Sequence, residues 1–272
     1  MTDHYAVIGR PISHTKSPLI HGLFAQSTGQ DLQYTAIEGS NDAFTAEVAR
    51  FRAQGGRGMN ITAPFKLLAY GLASHPSERA SLAKAANALK FEGDQVLAEN
   101  FDGIGLLRDI QCNLRNPLKH RRVLILGAGG AVRGALLPFL DAQPRALVMV
   151  NRDLPKAQAL AGELNHPLLT VQSYAALAGE TFDIVINATS ASLTGELPPV
   201  PAGVFARASL AYELAYGKGL TPFLRLAQAQ GAAHLADGVG MLVEQAAEAF
   251  EWWRGVRPDT RPVIDRLTVP LE

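Results

Sequence analysis

The chain carries the sequence Val123-Leu124-Ile125-Leu126-Gly127-Ala128-Gly129-Gly130-Ala131-Val132-Arg133-Gly134, an apolar run followed by a glycine-rich turn and a helix start. Glycines let the backbone approach a ligand closely, and the free N–H groups and dipole of a helix start favour negative charge. The pattern therefore predicts a buried strand followed by a turn that holds a diphosphate. Val132 stands where a third Gly or Ala is usual, so this turn is a variant of the dinucleotide motif and weak evidence alone.

A basic pair follows the next apolar run and strengthens this prediction. Arg145 to Val150 is predicted to be a second buried strand, and Arg152 comes after it, about 20 residues beyond the glycine turn, where NAD enzymes carry an acid. Arg152 and Lys156, one helical turn later, offer a guanidinium and an ammonium to a 2′-phosphate. We therefore predict NADP(H) as the cofactor. The alternative is a tight turn and a solvated basic helix start with no ligand.

Composition limits the classes of partner and compartment. The 272 residues are enough for a large core and favour two domains. Lys plus Arg and Asp plus Glu both count 25, so no net charge attracts nucleic acid or an anionic membrane, and small-molecule partners are expected. The single cysteine, Cys112, and the lack of a leader or a membrane-spanning run predict a cytoplasmic protein. We expect either a monomer or a homodimer. No His, Cys and carboxylate cluster has metal-ligand spacing, so no metal is expected.

Strand-like and helix-like segments alternate along the chain, which predicts an α/β fold with mostly parallel sheets. Asn87–Phe91 and Val96–Glu99 flank a Gly93-Asp94 turn and predict a hairpin, so the first sheet is mixed. Apolar strands at Asp183–Asn187 and Ser209–Leu214 extend the glycine-turn segment into a doubly wound, Rossmann-like NADP-binding domain.

The domain boundaries are expected on either side of this second domain. A polar, Pro-containing stretch leads into its first strand after a helix that begins at Gly103, so the first boundary falls near Asp102. The C-terminal helix, from about Gly240 to Arg254, carries an apolar stripe typical of a packed face. We expect residues 1–101 plus 241–272 to form a substrate-binding domain and residues 102–240 the NADP-binding domain.

Several distant segments, read together with the cofactor segment, resemble the shikimate dehydrogenase family. They are Ser13 to Pro18, Asn60 to Lys66, Ala86-Asn87, Asn100 to Gly103, and Asp237 to Gln245. The resemblance implies a two-domain enzyme with its active site in a groove between the domains. It also implies the NADPH-dependent reduction of 3-dehydroshikimate to shikimate, on the route to chorismate.

The resemblance assigns roles to residues at matching positions. It implies Lys66 and Asp102 as the catalytic pair. The implied substrate-binding residues are Thr15, Ser17, Asn60, Thr62, Asn87, Tyr216 and Gln245. The implied cofactor contacts are Gly127, Ala128, Gly129, Gly130, Ala131, Asn151, Arg152, Lys156, Asn187, Ala188, Thr189 and Gly238. These residue types suit the chemistry, because hydroxyl and amide groups bind the oxygens of a hydroxylated acid and hydride transfer needs one proton handled in concert.

The sequence also departs from the family pattern at positions near the expected groove. The departures are Thr15 for serine, Ala88 for threonine, Phe101 for threonine, Lys84 for glycine and Glu213 for aspartate. Phe101 puts a bulky ring beside the catalytic acid, which would reshape the pocket unless the ring points away. A divergent paralogue therefore stays open, as does a dehydrogenase of quinate or an amino-bearing analogue, or a non-catalytic NADP(H) sensor. Methylenetetrahydrofolate dehydrogenase, a related alternative, does not need the Ser13–Pro18 or Asn100–Gly103 segments.

Overall fold

The computed structural model describes residues 2–271, apart from the side chains of Ser192 and Leu193, as two compact α/β units. The strands are β1 (Asp3–Gly9), β2 (Leu32–Glu38), β3 (Gly56–Ile61), β4 (His75–Pro76), β5 (Ala88–Glu92), β6 (Gln95–Glu99), β7 (Arg122–Leu126), β8 (Ala146–Val150), β9 (Leu169–Gln172), β10 (Phe182–Asn187), β11 (Phe205–Glu213) and β12 (His234–Asp237). The helices are α1 (Ser17–Thr28), α2 (Phe44–Ala53), α3 (Lys66–Leu72), α4 (Glu78–Ala83), α5 (Asp102–Arg108), α6 (Gly130–Asp141), α7 (Leu154–Leu164), α8 (Ala191–Thr194), α9 (Pro222–Ala229), α10 (Val239–Arg254) and α11 (Arg261–Leu267). A π-helical turn follows α5 at Asp109–Asn113, and a 3₁₀ turn lies at Ala175–Leu177.

The chain divides within two of its helices. The first unit contains the residues up to Gly105 and Val243–Asp265, and the second contains Leu106–Leu242 and the residues from Arg266 onward. The divisions therefore lie within α5 and α10, a few residues beyond the boundaries expected at 101/102 and 240/241. The C-terminal residues also depart from the expected assignment to the first unit, and Leu271 packs against the apolar core of the second.

The first unit contains a mixed sheet in the order β2-β1-β3-β5-β6-β4. β1 pairs in parallel with β2 and β3, whereas β3, β5 and β6 pair in antiparallel fashion. The predicted hairpin is β5 and β6, and Gly93 in its turn has a positive φ of 54°. The prediction of a mixed first sheet is confirmed.

The second unit contains an all-parallel sheet in the order β12-β11-β10-β7-β8-β9. Numbered from β7, this is the order of a dinucleotide-binding doubly wound fold, and the direction of winding reverses between β7 and β10. Ligands of such sheets bind outside the carboxyl ends of the strands at that reversal. Gly127 follows β7 there and Ala188 follows β10, so the predicted Rossmann-like domain is confirmed.

The sheet of the first unit is covered by apolar side chains on both faces. One cluster contains Phe44, Met59 and Phe65, and the other contains Phe101 and Trp253. The Trp253 ring, on α10, stacks on Tyr5 of β1 with ring centroids 4.8 Å apart, and its Nε1 donates to the carbonyl oxygen of Leu89, 3.0 Å away. These contacts fix α10 on the sheet.

Gly105 of α5 permits a close helix contact with α10. A Cβ at Gly105 would lie 2.7 Å from the backbone nitrogen of Gln245 and 2.8 Å from its Cβ. Because real Cβ atoms do not approach this closely, a side chain at residue 105 would push the two helices apart. The missing side chain therefore sets the position of Gln245.

No helix within residues 2–271 combines the length and apolar character needed to cross a membrane.

We expect Gly105→Ala to lower the free energy of unfolding by about 1–3 kcal/mol, because the added methyl overpacks the α5–α10 contact. Gly71 in α3 provides the matched control, since a Cβ there meets no atom within 4 Å. Gly71→Ala should be neutral or stabilise by up to about 1 kcal/mol, because alanine has the higher helix propensity. Urea unfolding of both variants measures the difference, and equal stabilities would contradict the close contact.

Candidate functional site

The predicted catalytic residues form an ion pair in the first unit. Lys66 is the first residue of α3 and Asp102 the first residue of α5, and Lys66 Nζ lies 2.6 Å from Asp102 Oδ2. The Lys66 side chain is 33% exposed and that of Asp102 10%. The ammonium is therefore reachable from solvent, while the carboxylate lies deeper and is held by protein groups.

Asn87 orients this carboxylate. Its Nδ2 donates to Asp102 Oδ1 at 2.8 Å and to Gln245 Oε1 at 3.1 Å, while its Oδ1 accepts from the backbone N–H of Phe101 at 2.8 Å. Both N–H groups of the amide are thus used within the unit. The two oxygens of the Asp102 carboxylate therefore have different partners: Oδ1 accepts from the Asn87 amide and Oδ2 from the Lys66 ammonium. The same amide thus links the Asp102 carboxylate to Gln245 of α10.

A second chain of polar contacts reaches Asn60 on β3. Its Nδ2 donates to the carbonyl oxygen of Asn87 at 3.3 Å, and its Oδ1 accepts from the Tyr34 hydroxyl at 2.7 Å. Burial raises the pKa of Tyr34 well above its ordinary value, an effect that the nearby Ser17 hydroxyl partly offsets. Tyr34 was not among the predicted site residues. It links Ser17 and Asn60, and it fixes the Asn60 amide so that the nitrogen acts as donor.

His21 packs beneath Tyr34 and has a structural role. It is fully buried, and its ring stacks on Tyr34 with centroids 4.2 Å apart and an interplanar angle of 5°. Burial lowers the pKa of His21 to about 3, so the imidazole is neutral at physiological pH.

The predicted hydroxyl groups of the first unit lie between β1 and α1, at the start of α1 and after β3. Thr15 Oγ1 donates to Ser17 Oγ at 3.2 Å and accepts from the Ser17 N–H at 3.3 Å. Thr62 follows β3, and its methyl group occupies the space that a Cβ at Gly9 would need, 2.2 Å away. Tyr216 lies in the second unit, after β11, with 42% of its surface exposed, and its contact with substrate stays a prediction.

These contacts define what the site in the first unit can bind. Lys66 and Asn60 present N–H donors, and the hydroxyl groups can donate or accept. Asp102 is the carboxylate of the set. Such a site suits a ligand rich in oxygen acceptors, with one hydroxyl or carbonyl oxygen placed where an ammonium can exchange a proton with it.

The second unit contains a cavity of about 320 Å³ at the carboxyl ends of β7, β8 and β10. Its lining residues are Gly127, Ala128, Gly129, Asn151, Arg152, Lys156, Tyr174, Ala188, Thr189, Ser190, Ala191, Glu196, Leu197, Pro198 and Pro199. Eight of the predicted cofactor residues are among them, namely Gly127, Ala128, Gly129, Asn151, Arg152, Lys156, Ala188 and Thr189. The cavity thus joins the glycine turn to the basic pair after β8.

Glycine is required at the start of the turn. Gly127 has a φ of 116°, and a Cβ there would lie 3.0 Å from the carbonyl oxygen of Ala188. The Gly127 N–H donates to the carbonyl oxygen of Val150 at 2.7 Å, which ties the turn to β8. Helix α6 begins at Gly130 with Gly129 as its N-cap, so its first N–H groups lie next to the cavity wall. This cradle fits a diphosphate.

The basic pair is available to a ligand. Within residues 2–271, neither Arg152 nor Lys156 forms an ion pair, and both are exposed. The adjacent acid, Asp153, caps α7 by accepting from the Lys156 N–H at 3.0 Å. Its carboxylate therefore satisfies the helix start. Two uncompensated cations beside a glycine turn fit a dinucleotide that carries an extra phosphate on its ribose.

Four predicted cofactor residues do not line this cavity. Gly130 and Ala131 lie within the first turn of α6. Asn187 is fully buried, donates to Glu213 Oε2 at 3.0 Å and accepts from the Thr189 hydroxyl at 2.7 Å, so it positions the loop that lines the cavity. Gly238 lies before α10, where a Cβ would be 2.1 Å from the carbonyl oxygen of Leu214. Its predicted place beside the nicotinamide stays a prediction.

Several residues that line the cavity were not predicted from the sequence. Tyr174 follows β9, and Ser190 to Ala191 and Glu196 to Pro199 surround α8. The segment from Glu196 is proline-rich, a pattern typical of loops, and no spacing in it indicates a ligand. Tyr174 has no motif of its own.

The departures at residues 101 and 84 have structural explanations. Phe101 is 3% exposed, and its ring packs with Tyr5, Ala88 and Trp253 and makes an edge contact with Trp252. The ring therefore belongs to the core beneath α10, and the backbone N–H of the same residue serves Asn87. Lys84 ends α4 with a φ of 50°, a conformation that glycine adopts more readily, which explains why glycine is usual there.

No group of three or more His, Cys, Asp or Glu side chains in the described part of the chain is arranged to hold a metal ion.

Models of protein families match three segments of the chain. Residues 7–89 match "Shikimate dehydrogenase substrate binding domain", residues 110–194 match "Shikimate / quinate 5-dehydrogenase", and residues 238–268 match "Shikimate 5'-dehydrogenase C-terminal domain". The first and third segments contribute to the unit with the ion pair, and the second contributes to the unit with the cavity.

Full-length relatives agree with these matches. The shikimate dehydrogenase (NADP(+)) of Nitrosospira multiformis is 56% identical, with 100% of this chain and 99% of the relative covered. The crystal structure of an Ael1 enzyme from Pseudomonas putida is 70% identical, covers 100% of both chains and has a TM-score of 0.97. Shikimate 5-dehydrogenase from Thermus thermophilus, solved with NADP(H) and shikimate, is 29% identical, with 97% and 98% coverage and a TM-score of 0.87.

The buried position of the Phe101 ring can be tested by replacing Phe101 with the threonine that is usual at this position in the family. We expect Phe101→Thr to lower the free energy of unfolding by about 3 kcal/mol, because it empties a core position beneath α10. The Michaelis constant for substrate should change less than about threefold at a temperature where the variant is folded. Thermal unfolding and steady-state kinetics measure both. A large change in the Michaelis constant without lost stability would place the ring in the pocket.

Proposed function

Since this chain belongs to the shikimate dehydrogenase family, we propose that it catalyses the reversible NADPH-dependent reduction of 3-dehydroshikimate to shikimate. The contact of 2.6 Å between Lys66 Nζ and Asp102 Oδ2 carries the proposal, because it places a proton donor and an orienting carboxylate together among amide and hydroxyl groups. The full-length identity of 56% to a shikimate dehydrogenase (NADP(+)) supports the same substrate and cofactor.

In the reduction, Lys66 donates a proton to the alkoxide oxygen that develops from the substrate carbonyl, and in the oxidation it accepts that proton. Asp102 accepts a hydrogen bond from the substrate hydroxyl and orients the ammonium. Asn87 holds the carboxylate in this orientation through the bond to Oδ1. NADPH, when bound, supplies the hydride.

The other residues recognise substrate and cofactor. Thr15, Ser17, Thr62 and the amides of Asn60 and Gln245 bind the carboxylate and hydroxyl oxygens of the substrate. In the second unit, the Gly127 turn and the start of α6 hold the diphosphate of the cofactor, and Arg152 with Lys156 holds the 2′-phosphate. The cytoplasmic location and a monomeric or homodimeric state stay predictions from the sequence.

The ion pair also argues against a non-catalytic NADP(H) sensor. Asp102 is only 10% exposed at its side chain, and it keeps both the Lys66 ammonium and the Asn87 amide as partners. A protein that only sensed the cofactor would have no use for this pair in the substrate unit. A wild-type protein that binds NADPH but turns over neither shikimate nor quinate would instead support the sensor.

Initial rates of NADP⁺ reduction, followed at the nicotinamide absorbance, test the proposal. We expect turnover with shikimate, slower turnover with quinate, because the Thr15 methyl crowds its additional hydroxyl, and a preference for NADP⁺ over NAD⁺. Faster turnover with quinate would assign the chain to the sister activity. No turnover with either acid would contradict the proposal.

We expect Lys66→Met to lower kcat by about 10²–10⁴-fold, the usual loss when a positioned acid–base group is removed. Binding of NADPH, measured by fluorescence titration, should be unchanged because Lys66 lies in the first unit. Lys90→Met is the matched control, since Lys90 is a similarly exposed, ion-paired lysine on β5 of the same unit. A Lys66 variant that keeps more than about a tenth of kcat would rule out the proton-transfer role.

We expect Arg152→Ala to weaken NADPH binding by about 1.5–3 kcal/mol, the range for a hydrogen bond to a charged group, and to leave NADH binding unchanged. The reason is that the guanidinium contacts a phosphate which NADH lacks. Dissociation constants for both nucleotides, from the same titration, give the difference. Equal losses for NADPH and NADH would place Arg152 against a part of the cofactor that both share.

A further inference from the structure

Tyr174 is held in place on one side by the core of the second unit. Tyr174 lies two residues after the end of β9 and directly precedes the 3₁₀ turn Ala175–Leu177. Its ring is partly buried against the apolar cluster that contains Leu177 and Phe182. The same residue lines the cavity that contains the glycine turn and the basic pair. The position of the ring is therefore set before any ligand binds.

The hydroxyl of Tyr174 has no partner among the residues that the structure describes. Among the described residues no side chain or backbone group forms a hydrogen bond with it, although its backbone carbonyl accepts from the Leu177 N–H at 3.3 Å. Arg152 lies near enough for its charge to act on the phenol: burial raises the pKa of Tyr174, and the guanidinium partly opposes that rise. The phenol stays protonated at physiological pH and is a neutral donor.

The surroundings of this hydroxyl favour a polyanion. Arg152 and Lys156 line the same cavity without an ion pair in the described part of the chain, and the Asp153 carboxylate is occupied at the start of α7. Glu196 is the acid that lines the cavity. Two cations without an ion pair and one phenol without a hydrogen bond, as far as the described residues go, lie on the side of β8 and β9, where the ribose beyond the glycine turn is recognised in this fold.

We propose that Tyr174 is a specificity-determining residue that donates its hydroxyl to the 2′-phosphate of NADP(H), together with Arg152 and Lys156. The inference rests on the proposed cofactor. A protonated phenol adds a directional donor to a phosphate that the two cations attract from longer range, and hydrogen bonds to a charged group are about twice as strong as neutral ones. Because the core already orders the ring, binding loses little side-chain entropy.

Isothermal titration calorimetry with two adenine nucleotides tests this contact without turnover. The probes are adenosine 2′,5′-bisphosphate, which carries the 2′-phosphate, and adenosine 5′-monophosphate, which lacks it. We expect Tyr174→Phe to raise the dissociation constant of the bisphosphate about tenfold and to leave that of the monophosphate within twofold. The ring is kept in this variant, so its packing against the core is retained.

Ser173→Ala is the matched control. Ser173 Oγ accepts from the Ala176 N–H at 3.3 Å in the same turn, but Ser173 does not line the cavity. This variant disturbs the turn without removing a predicted phosphate donor, so both dissociation constants should stay within twofold of wild type. An equal loss of bisphosphate binding in both variants would assign the effect to the turn and overturn the proposal.

The other outcomes also discriminate. If Tyr174→Phe weakens both nucleotides equally, the residue contacts the adenosine that they share, and if it weakens neither, it contacts no part of the ligand; each result overturns the proposal. If the wild-type protein itself binds the bisphosphate no more tightly than the monophosphate, the predicted NADP(H) preference fails together with it. A wild-type preference that survives in Tyr174→Phe removes only the tyrosine contact and leaves the cofactor assignment in place.

Discussion

The site depends on how one largely buried carboxylate is held. A carboxylate taken out of water costs several kcal/mol unless charge and hydrogen bonds replace its hydration. Asp102 receives the Lys66 ammonium on one oxygen and the Asn87 amide on the other. Since Asn87 also accepts from the Phe101 N–H, the segment that follows β6, the residue that precedes β5 and the first residue of α3 must all be placed correctly. The ion pair thus requires the mixed sheet of the first unit.

The architecture could largely be predicted from the sequence, because long apolar runs and turn signals alternate regularly. The glycine turn at Gly127 and the hairpin around Gly93 were both correctly predicted, the first from a variant motif supported by the strands around it and the second from its Gly-Asp turn. β4 has two residues and β9 and β12 have four each, too few to produce a clear pattern, and none of the three was predicted. The exact division within α5 and α10 could not be foreseen either, because a continuous helix carries no boundary signal in its sequence.

Site residues that belong to a sequence motif could be predicted, whereas residues whose role depends on tertiary packing could not. Lys66, Asn87 and Asp102 were named from short segments, and the structure brings them together. Tyr34 was missed because a tyrosine on a half-buried strand is ordinarily a packing residue, and its hydroxyl reaches Asn60 only when β2 and β3 lie on either side of β1. The direction of the Phe101 ring could not be predicted for the same reason, since it depends on the aromatic cluster under α10.

A double-mutant cycle on Lys66 and Asp102 tests most directly whether the two residues act as one unit. The measured quantity is kcat/KM for shikimate in the wild type, Lys66→Met, Asp102→Asn and the double variant. If the contact of 2.6 Å is the basis of catalysis, the double variant loses about as much as the worse single variant, with a coupling energy above about 1 kcal/mol. Losses that add to within about 0.5 kcal/mol would mean that the residues act independently, and would contradict the central role of the ion pair.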